Sequence, residues 1–424
     1  MSWFGKASIA VCLVAVSFVT LNSVPAFRNL IVAQQATQQQ DEVRVAGATI
    51  LMDGEVLEQT RKRLEKGEWA LKPALRKLIE DADAALKEGP YSVTDKEILA
   101  PSGNKHDYAS YSRYWWPDPK KDDGLPYIRR DGETNPDSQS LAKSDRQRIG
   151  DLGINTETLG IAYYLTGDEK YAVKAAELLR VWFLNPATRM NPNVNHAQVR
   201  SGHNTGTKSG ILDGRMMTRA LEGSLLIAGS SALTDAEREG LKAWAAEYFK
   251  WLTTAEIALQ EAASKNNHGS FYDAQAMYFA LYCGNKEAAA KIAKEAAEKR
   301  ILSQIIADGS MPEEMARTRP LFYSNYNLHA MFMLAHLAEK VDVDIWTAGD
   351  SRLRAGLDFL VPYADPYEPW PHGTIKEADR MKMFPILMMA DHAYPDGNYL
   401  QHVELLPLKQ RRIQRENLAF PIMR

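Results

Sequence analysis

Cysteine is nearly absent from this chain: Cys12 and Cys283 are the two among 424 residues. Once an N-terminal segment holding Cys12 is removed, one thiol remains and no intramolecular disulfide can form. Cys283 follows Tyr278-Phe279-Ala280-Leu281-Tyr282 and reads as a small buried hydrophobe. The nine histidines include no HExxH and no Cys/His cluster, and no acidic loop has calcium spacing. No metal or other cofactor is therefore expected. A GxSxG elbow is missing, which leaves an esterase without its nucleophile. Charge of one sign is scarce as well: a net −3 argues against bulk nucleic-acid binding, and a polyanionic partner would need a local basic cleft.

What is present describes an exported globular protein. A 45% hydrophobic and 25% charged composition can bury a real core. Lys6 precedes an apolar run from Ala7 to Leu21, and Val24 and Ala26 fit a small-residue cleavage site. Residues 1–26 read as a signal peptide, because the run falls short of the ~20 residues of a spanning helix. An uncleaved anchor is the alternative. Export without disulfides suits a periplasm or cell surface, with no membrane association beyond the signal sequence. A Gln-rich leader follows from Phe27 to about residue 50, and 51–424 read as one domain.

Past residue 50 the periodicity is helical and strand-like alternation is scarce. It predicts helices over Val56–Lys66, Pro73–Lys87, Asn155–Leu165, Glu169–Phe183, Ile211–Ala228, Asp235–Thr253, Phe271–Tyr282, Lys286–Ile306, Tyr323–Lys340, Ser351–Val361 and Asp379–Ala393. Thr234-Asp235, Gly167-Asp168 and Gly284-Asn285 supply starts and turns. Short antiparallel hairpins with one apolar stripe each can close into an all-α ring, an (α/α) toroid or incomplete α/α barrel. A helical solenoid is the alternative, weakened by the lack of a repeat at fixed period. Glu97 to Ser144 is a long polar loop whose Tyr111, Tyr114, Trp115, Trp116 and Tyr127 argue for order and function.

Four polar elements carry candidate chemistry. Lys265-Asn266-Asn267-His268-Gly269 sits just ahead of the Phe271 helix, where Asn267 and His268 would project into a cleft unless the asparagine is a helix cap. Met311 to Tyr326 holds Arg317, Arg319, Tyr323 and Tyr326. A planar guanidinium suits a uronate carboxylate, and a nearby cation could lower a phenol enough for proton exchange. The alternative for Arg317 is an ion pair with Glu313 or Glu314 one helical turn away. The Gly-rich Arg200–Gly210 stretch offers His203, Asn204 and Lys208 for a carboxylate or hydroxyls, or is a plain connection. Tyr114, Trp115 and Trp116 suit stacking on sugar faces, with His372 of Trp370-Pro371-His372-Gly373 a weaker candidate. An amide, an imidazole, a guanidinium and phenols form a set without a nucleophile. They suit holding a sugar carboxylate while the neighbouring proton is removed.

Pro101-Ser102-Gly103-Asn104-Lys105-His106-Asp107-Tyr108, Tyr114-Trp115-Trp116-Pro117-Asp118-Pro119, Asn204-Thr205-Gly206, Lys265–Gly269 and Arg317–Tyr326 together resemble the alginate lyase family of polysaccharide lyases. The resemblance runs from about Pro101 to Met389. It implies an α/α toroid and metal-independent β-elimination at a 4-linked uronic acid in an acidic polysaccharide. It places Asn267 and Arg317 on the C5 carboxylate, Tyr323 as acid, and His268 as base or partner to Tyr323. Arg319 and Tyr326 lie close enough in register to exchange with Arg317 and Tyr323. The Trp-Trp-Pro-Asp-Pro loop and Tyr127-Ile128-Arg129-Arg130 resemble a branch whose members do not all prefer alginate. Polymannuronate is the leading substrate, glucuronan or another uronan the runner-up. A binding protein without catalysis is a further alternative. A hydrolase would need a carboxylate pair, for which Asp213, Asp273, Glu313 and Glu314 have no evident pairing.

Overall fold

The computed structural model describes residues 49–420. The expected signal peptide and nearly all of the leader lie outside the described residues. Among the described residues there are fifteen α-helices: α1 (Gly54–Glu65), α2 (Lys72–Ala85), α3 (Arg146–Thr166), α4 (Glu169–Leu179), α5 (Arg215–Leu226), α6 (Asp235–Thr254), α7 (Glu256–Ala262), α8 (Asn267–Tyr282), α9 (Lys286–Ala296), α10 (Pro312–Met315), α11 (Pro320–Glu339), α12 (Ala348–Leu360), α13 (Phe384–Ala393), α14 (Leu400–Val403) and α15 (Leu408–Arg411).

The helices form two layers. In α8 every residue except His268 and Leu281 is buried, and α11 is buried apart from Phe322, Tyr326 and Glu339. Such helices have no single apolar stripe because neighbours cover them on all sides. The outer helices keep a stripe: α9 buries Ala289, Ala293 and Ala296, and α2 buries Ala74, Leu78, Ala82 and Ala85. Inner α8 packs against α11, α9 and α6, while α3 packs against α4 and α5. This is the all-α toroid of helical hairpins that the periodicity predicts.

Local chemistry sets the turns. Gly167 closes α3 at φ +73°, and the Asp168 side chain accepts the Lys170 N–H at the start of α4. Gly284 separates α8 from α9 at φ +76°, where the Asn285 side chain accepts the Ala288 N–H. Thr234 and Glu237 form a reciprocal capping box at the start of α6. The α3–α5 crossing is closer than any side chain allows. A Cβ on Gly153 would strike the Met216 carbonyl, and one on Gly223 would strike Thr156.

Several boundaries differ from expectation. Helix α3 begins at Arg146 rather than Asn155, because Gly150 and Gly153 weaken the signal, although Gly153 serves the crossing. Helix α7 has no counterpart in the sequence reading; it is short and abuts α6 across Ala255. The long polar loop is ordered by four short strands. Strand β1 (Ala109–Tyr111) pairs in parallel with β4 (His196–Val199), and β2 (Trp115–Trp116) pairs antiparallel with β3 (Ile128–Arg129). Buried Asn135 ties this loop down by donating from its side chain to the Trp115 carbonyl and from its backbone to the Arg113 carbonyl.

On the N-terminal side, fully buried Glu222 of α5 accepts the backbone N–H groups of Ile50, Leu51 and Met52. Burial, with the nearby Glu157 charge, pushes its carboxyl up to about 7 despite those three bonds.

Candidate active site

One end of the toroid opens into a cavity of about 510 Å³. Its walls come from the β1–β2 segment, the connection from Gln198 to Arg215, the α7–α8 corner, and the α10–α11 corner. Eight lysines and arginines line it against three carboxylates, although the whole chain is slightly acidic. The local basic cleft required of a polyanion-binding protein is present.

Asn266 caps α8 through its side chain, which accepts the His268 N–H at 3.2 Å. Asn267 and His268 therefore lie inside the first turn of α8 rather than ahead of the helix, and Asn266 is the cap. Asn267 is 1% exposed and rests on Glu314, a buried carboxylate of α10. Glu314 accepts the Asn267 backbone N–H at 2.6 Å and the side-chain nitrogen at 2.8 and 2.9 Å. Two oxygens of one carboxylate subtend a much smaller angle at that nitrogen than its two N–H bonds do. One N–H serves both oxygens, and the second remains for a ligand. Burial raises the Glu314 carboxyl, against the lowering hydrogen bonds from Asn267. The His268 Nδ1 is bonded to Glu261, which is fully buried at the end of α7. That leaves Nε2 for the cavity.

Arg317 does not pair with Glu313 or Glu314. Its partner is Asp131, from the loop after β3, which accepts from Nε at 3.2 Å and from Nη2 at 2.9 Å. A helical spacing of three or four residues suggested the wrong acid because the true one lies 186 residues away. Thr318 donates to the same carboxylate at 3.1 Å, and Arg129 binds it at 2.9 Å. Burial alone would raise Asp131; the Arg317 hydrogen bond and charge outweigh it and hold the carboxyl at about 2. The Arg317 guanidinium lies 3.7 Å from the centre of the Tyr323 ring, and the Tyr323 and Tyr114 hydroxyls share a 2.9 Å hydrogen bond.

The expected lowering of the phenol is overturned. Burial first, then the bond to Tyr114, raise Tyr323 above the usual phenol range, and the opposing charge of Arg317 is too weak to reverse this. Tyr323 is a neutral phenol and a proton donor. The geometry also separates the two registers. Arg317 contacts Tyr323, whereas Arg319 stacks on Phe322 at 4.4 Å and Tyr326 packs against Phe271 at 4.3 Å.

Of the residues singled out by sequence, Asn267, His268, Arg317, Tyr323, Tyr114, Trp115, Lys208 and Tyr326 line the cavity. His203, Asn204, Trp116, Arg319 and His372 do not. His203 bonds the Tyr127 carbonyl at 2.8 Å and sits edge-on to Trp115. Asn204 accepts the Arg200 N–H and shapes its own turn. Trp116 donates to the Glu133 carbonyl beneath Arg130, and His372 packs on Trp370. Sequence reasoning missed Arg113, Arg200, Arg215, Glu261 and Asp131. Arg113 adjoins the Tyr114 motif, but nothing local distinguished Glu261 or Asp131. Arg200 stacks 4.7 Å from the Trp115 ring centre.

Three of the four carboxylates a hydrolase could draw on are already engaged. Asp213 is bonded to Arg146, Tyr108 and Ser110, Asp273 to Arg300, and Glu314 to Asn267. Among the described residues no group of three His, Cys, Asp or Glu side chains could hold a metal ion.

Comparison with known proteins follows the same direction. Residues 92–370 match the sequence profile of the alginate lyase family. An alginate lyase from Bacteroides ovatus is 38% identical with a TM-score of 0.83, covering 89% of this chain and 100% of its own. Alginate lyase A1-III from Sphingomonas species A1 is 17% identical with a TM-score of 0.56, covering 90% and 97%. A variant of A1-III complexed with a tetrasaccharide gives 16% and 0.55, covering 89% and 96%. These two share the fold. Among curated proteins none matches. With most of the chain inside the family profile and a relative of this identity along its length, the chain belongs to the alginate lyase family and is a polysaccharide lyase.

Proposed function

We propose that this chain is an exported lyase cleaving β-1,4-linked uronic acid polymers, with polymannuronate or alginate as leading substrate. The observation that carries this reading is the meeting of His268, Asn267, Arg317 and Tyr323 around one cationic cavity. The free N–H of Asn267 and the guanidinium of Arg317 bind the C5 carboxylate and stabilise the charge that builds on it. A single aimed donor of this kind is worth about 2.7–4 kcal/mol. His268 Nε2 removes the C5 proton, and the electron pair forms the C4–C5 double bond. The C4–O4 bond breaks, and the neutral phenol of Tyr323 gives its proton to the departing oxygen. The products are a new reducing end and an unsaturated uronate at the other fragment's non-reducing end. Positioned acid and base groups add roughly 10²–10⁴-fold. The signal-peptide pattern of residues 1–26 supports the export part of the reading.

The test is incubation with polymannuronate, polyguluronate and glucuronan, followed by ultraviolet absorbance and product sizing. Growth of absorbance on polymannuronate is expected. Cleavage of glucuronan alone would move the substrate assignment to the runner-up, and binding of all three without absorbance would replace a lyase with a binding protein.

A further inference from the structure

We propose that Glu261 is the positioning residue for His268, and that the α7–α8 corner exists to hold this pair. The inference rests on His268 serving as the base. Glu261 is fully buried and, among the described residues, takes no lysine or arginine as ion-pair partner. One carboxylate oxygen bonds His268 Nδ1; the other accepts from the Ser264 hydroxyl at 3.2 Å. Ser264 is fixed in turn by Lys208, whose Nζ donates to its hydroxyl at 2.9 Å. An ionised carboxylate only accepts, so Nδ1 must carry the proton. The neutral imidazole then presents the lone pair of Nε2 to the cavity, where a base is needed. When Nε2 takes the substrate proton, the new positive charge forms against Glu261, whose burial strengthens the interaction.

The corner is built to keep this geometry. Arg300 donates to the Ser264 carbonyl at 2.9 Å and to the Ala262 carbonyl at 2.7 Å, and its Nε binds Asp273 of α8 at 2.7 Å. One guanidinium thus clamps the end of α7 to the body of α8. Gly269 lets the chains meet, since a Cβ there would strike the Ser264 carbonyl. Glu261 touches neither substrate nor reacting atoms; its effect passes through the imidazole.

Two substitutions and one spectrum decide the matter. Glu261→Gln keeps the shape and an acceptor oxygen but loses the charge, and kcat should fall about tenfold. Glu261→Leu removes the acceptor, and kcat should fall by roughly 10²–10⁴, the value of a positioned base. KM should stay within about twofold in both. The ¹⁵N spectrum of the free wild-type protein should show neutral His268 as the Nδ1–H tautomer, with the signal identified by its loss in His268→Ala. An Nε2–H tautomer, an unchanged kcat in Glu261→Leu, or a raised KM with normal kcat would each overturn the assignment. If Glu261→Leu fails to fold, Glu261→Gln and the wild-type spectrum still decide. Should no uronan be cleaved, the lyase reading falls while the spectrum still judges the pairing.

Discussion

The two walls of the cavity are built on opposite electrostatic plans. On the helical wall, three of the four candidate catalytic groups have a carboxylate behind them: Glu261 behind His268, Glu314 behind Asn267, Asp131 behind Arg317; the fourth, Tyr323, has Tyr114. On the loop wall, Arg113 and Arg200 have no carboxylate within ion-pair distance among the described residues. Enclosure, then like charge from Arg146 in one case and Arg129 in the other, lowers both guanidinium groups below their usual range. A paired donor is held in direction, which is what a transition state needs. An unpaired one offers attraction, which is what drawing in a polyanion needs.

The largest effect should come from the helical wall. Tyr323→Phe and His268→Ala should each remove turnover by roughly 10²–10⁴ while circular dichroism stays native. A dead Tyr326→Phe beside an active Tyr323→Phe would reverse the register. Next, Arg317→Ala should lose about 10²–10³ in kcat and raise KM as well, because it touches the carboxylate in both states; a change confined to KM would make Arg317 a mere binding group. The loop wall should behave differently. Arg113→Ala and Arg200→Ala should raise KM several-fold, about 1 kcal/mol each, with kcat nearly constant and a shallower dependence on salt. Loss of kcat instead would erase the distinction between the walls.

The smallest effect on activity is a control away from both. The Glu222 carboxyl keeps its proton in the fold up to about 7, against 4.5 as its ordinary value. Between these pH values the native state binds more protons than the unfolded chain, so stability falls as pH rises through the window. Glu222→Gln cannot titrate and should flatten that fall, by on the order of 1–3 kcal/mol, with activity unchanged. Parallel thermal melts of the two proteins from pH 4.5 to 8 would contradict this.

The candidate catalytic groups that line the cavity were legible in the sequence because they cluster in two short motifs. Asn267 and His268 adjoin, and Arg317 and Tyr323 lie on one corner. Their partners were not legible. Glu261 belongs to a seven-residue helix too short to leave a periodic signal, and Asp131 reaches Arg317 only through the folded loop. The inner helices were found by length and apolar content, whereas α3 was cut short at its glycines. Tyr323 shows a different limit: composition supplies the cation beside the phenol, but the burial that outweighs it belongs to the tertiary structure.

The bond between Asp131 and Arg317 has one more consequence. Before any sugar arrives, the arginine already has an internal counter-ion, ionised at every pH above about 2. A methyl-esterified or amidated uronate has no charge to exchange for it and gains little by approaching. A free carboxylate can share or take over those contacts. On the proposed function, Asp131 would make the preference for a free carboxylate a property of the chain itself, ahead of any proton transfer.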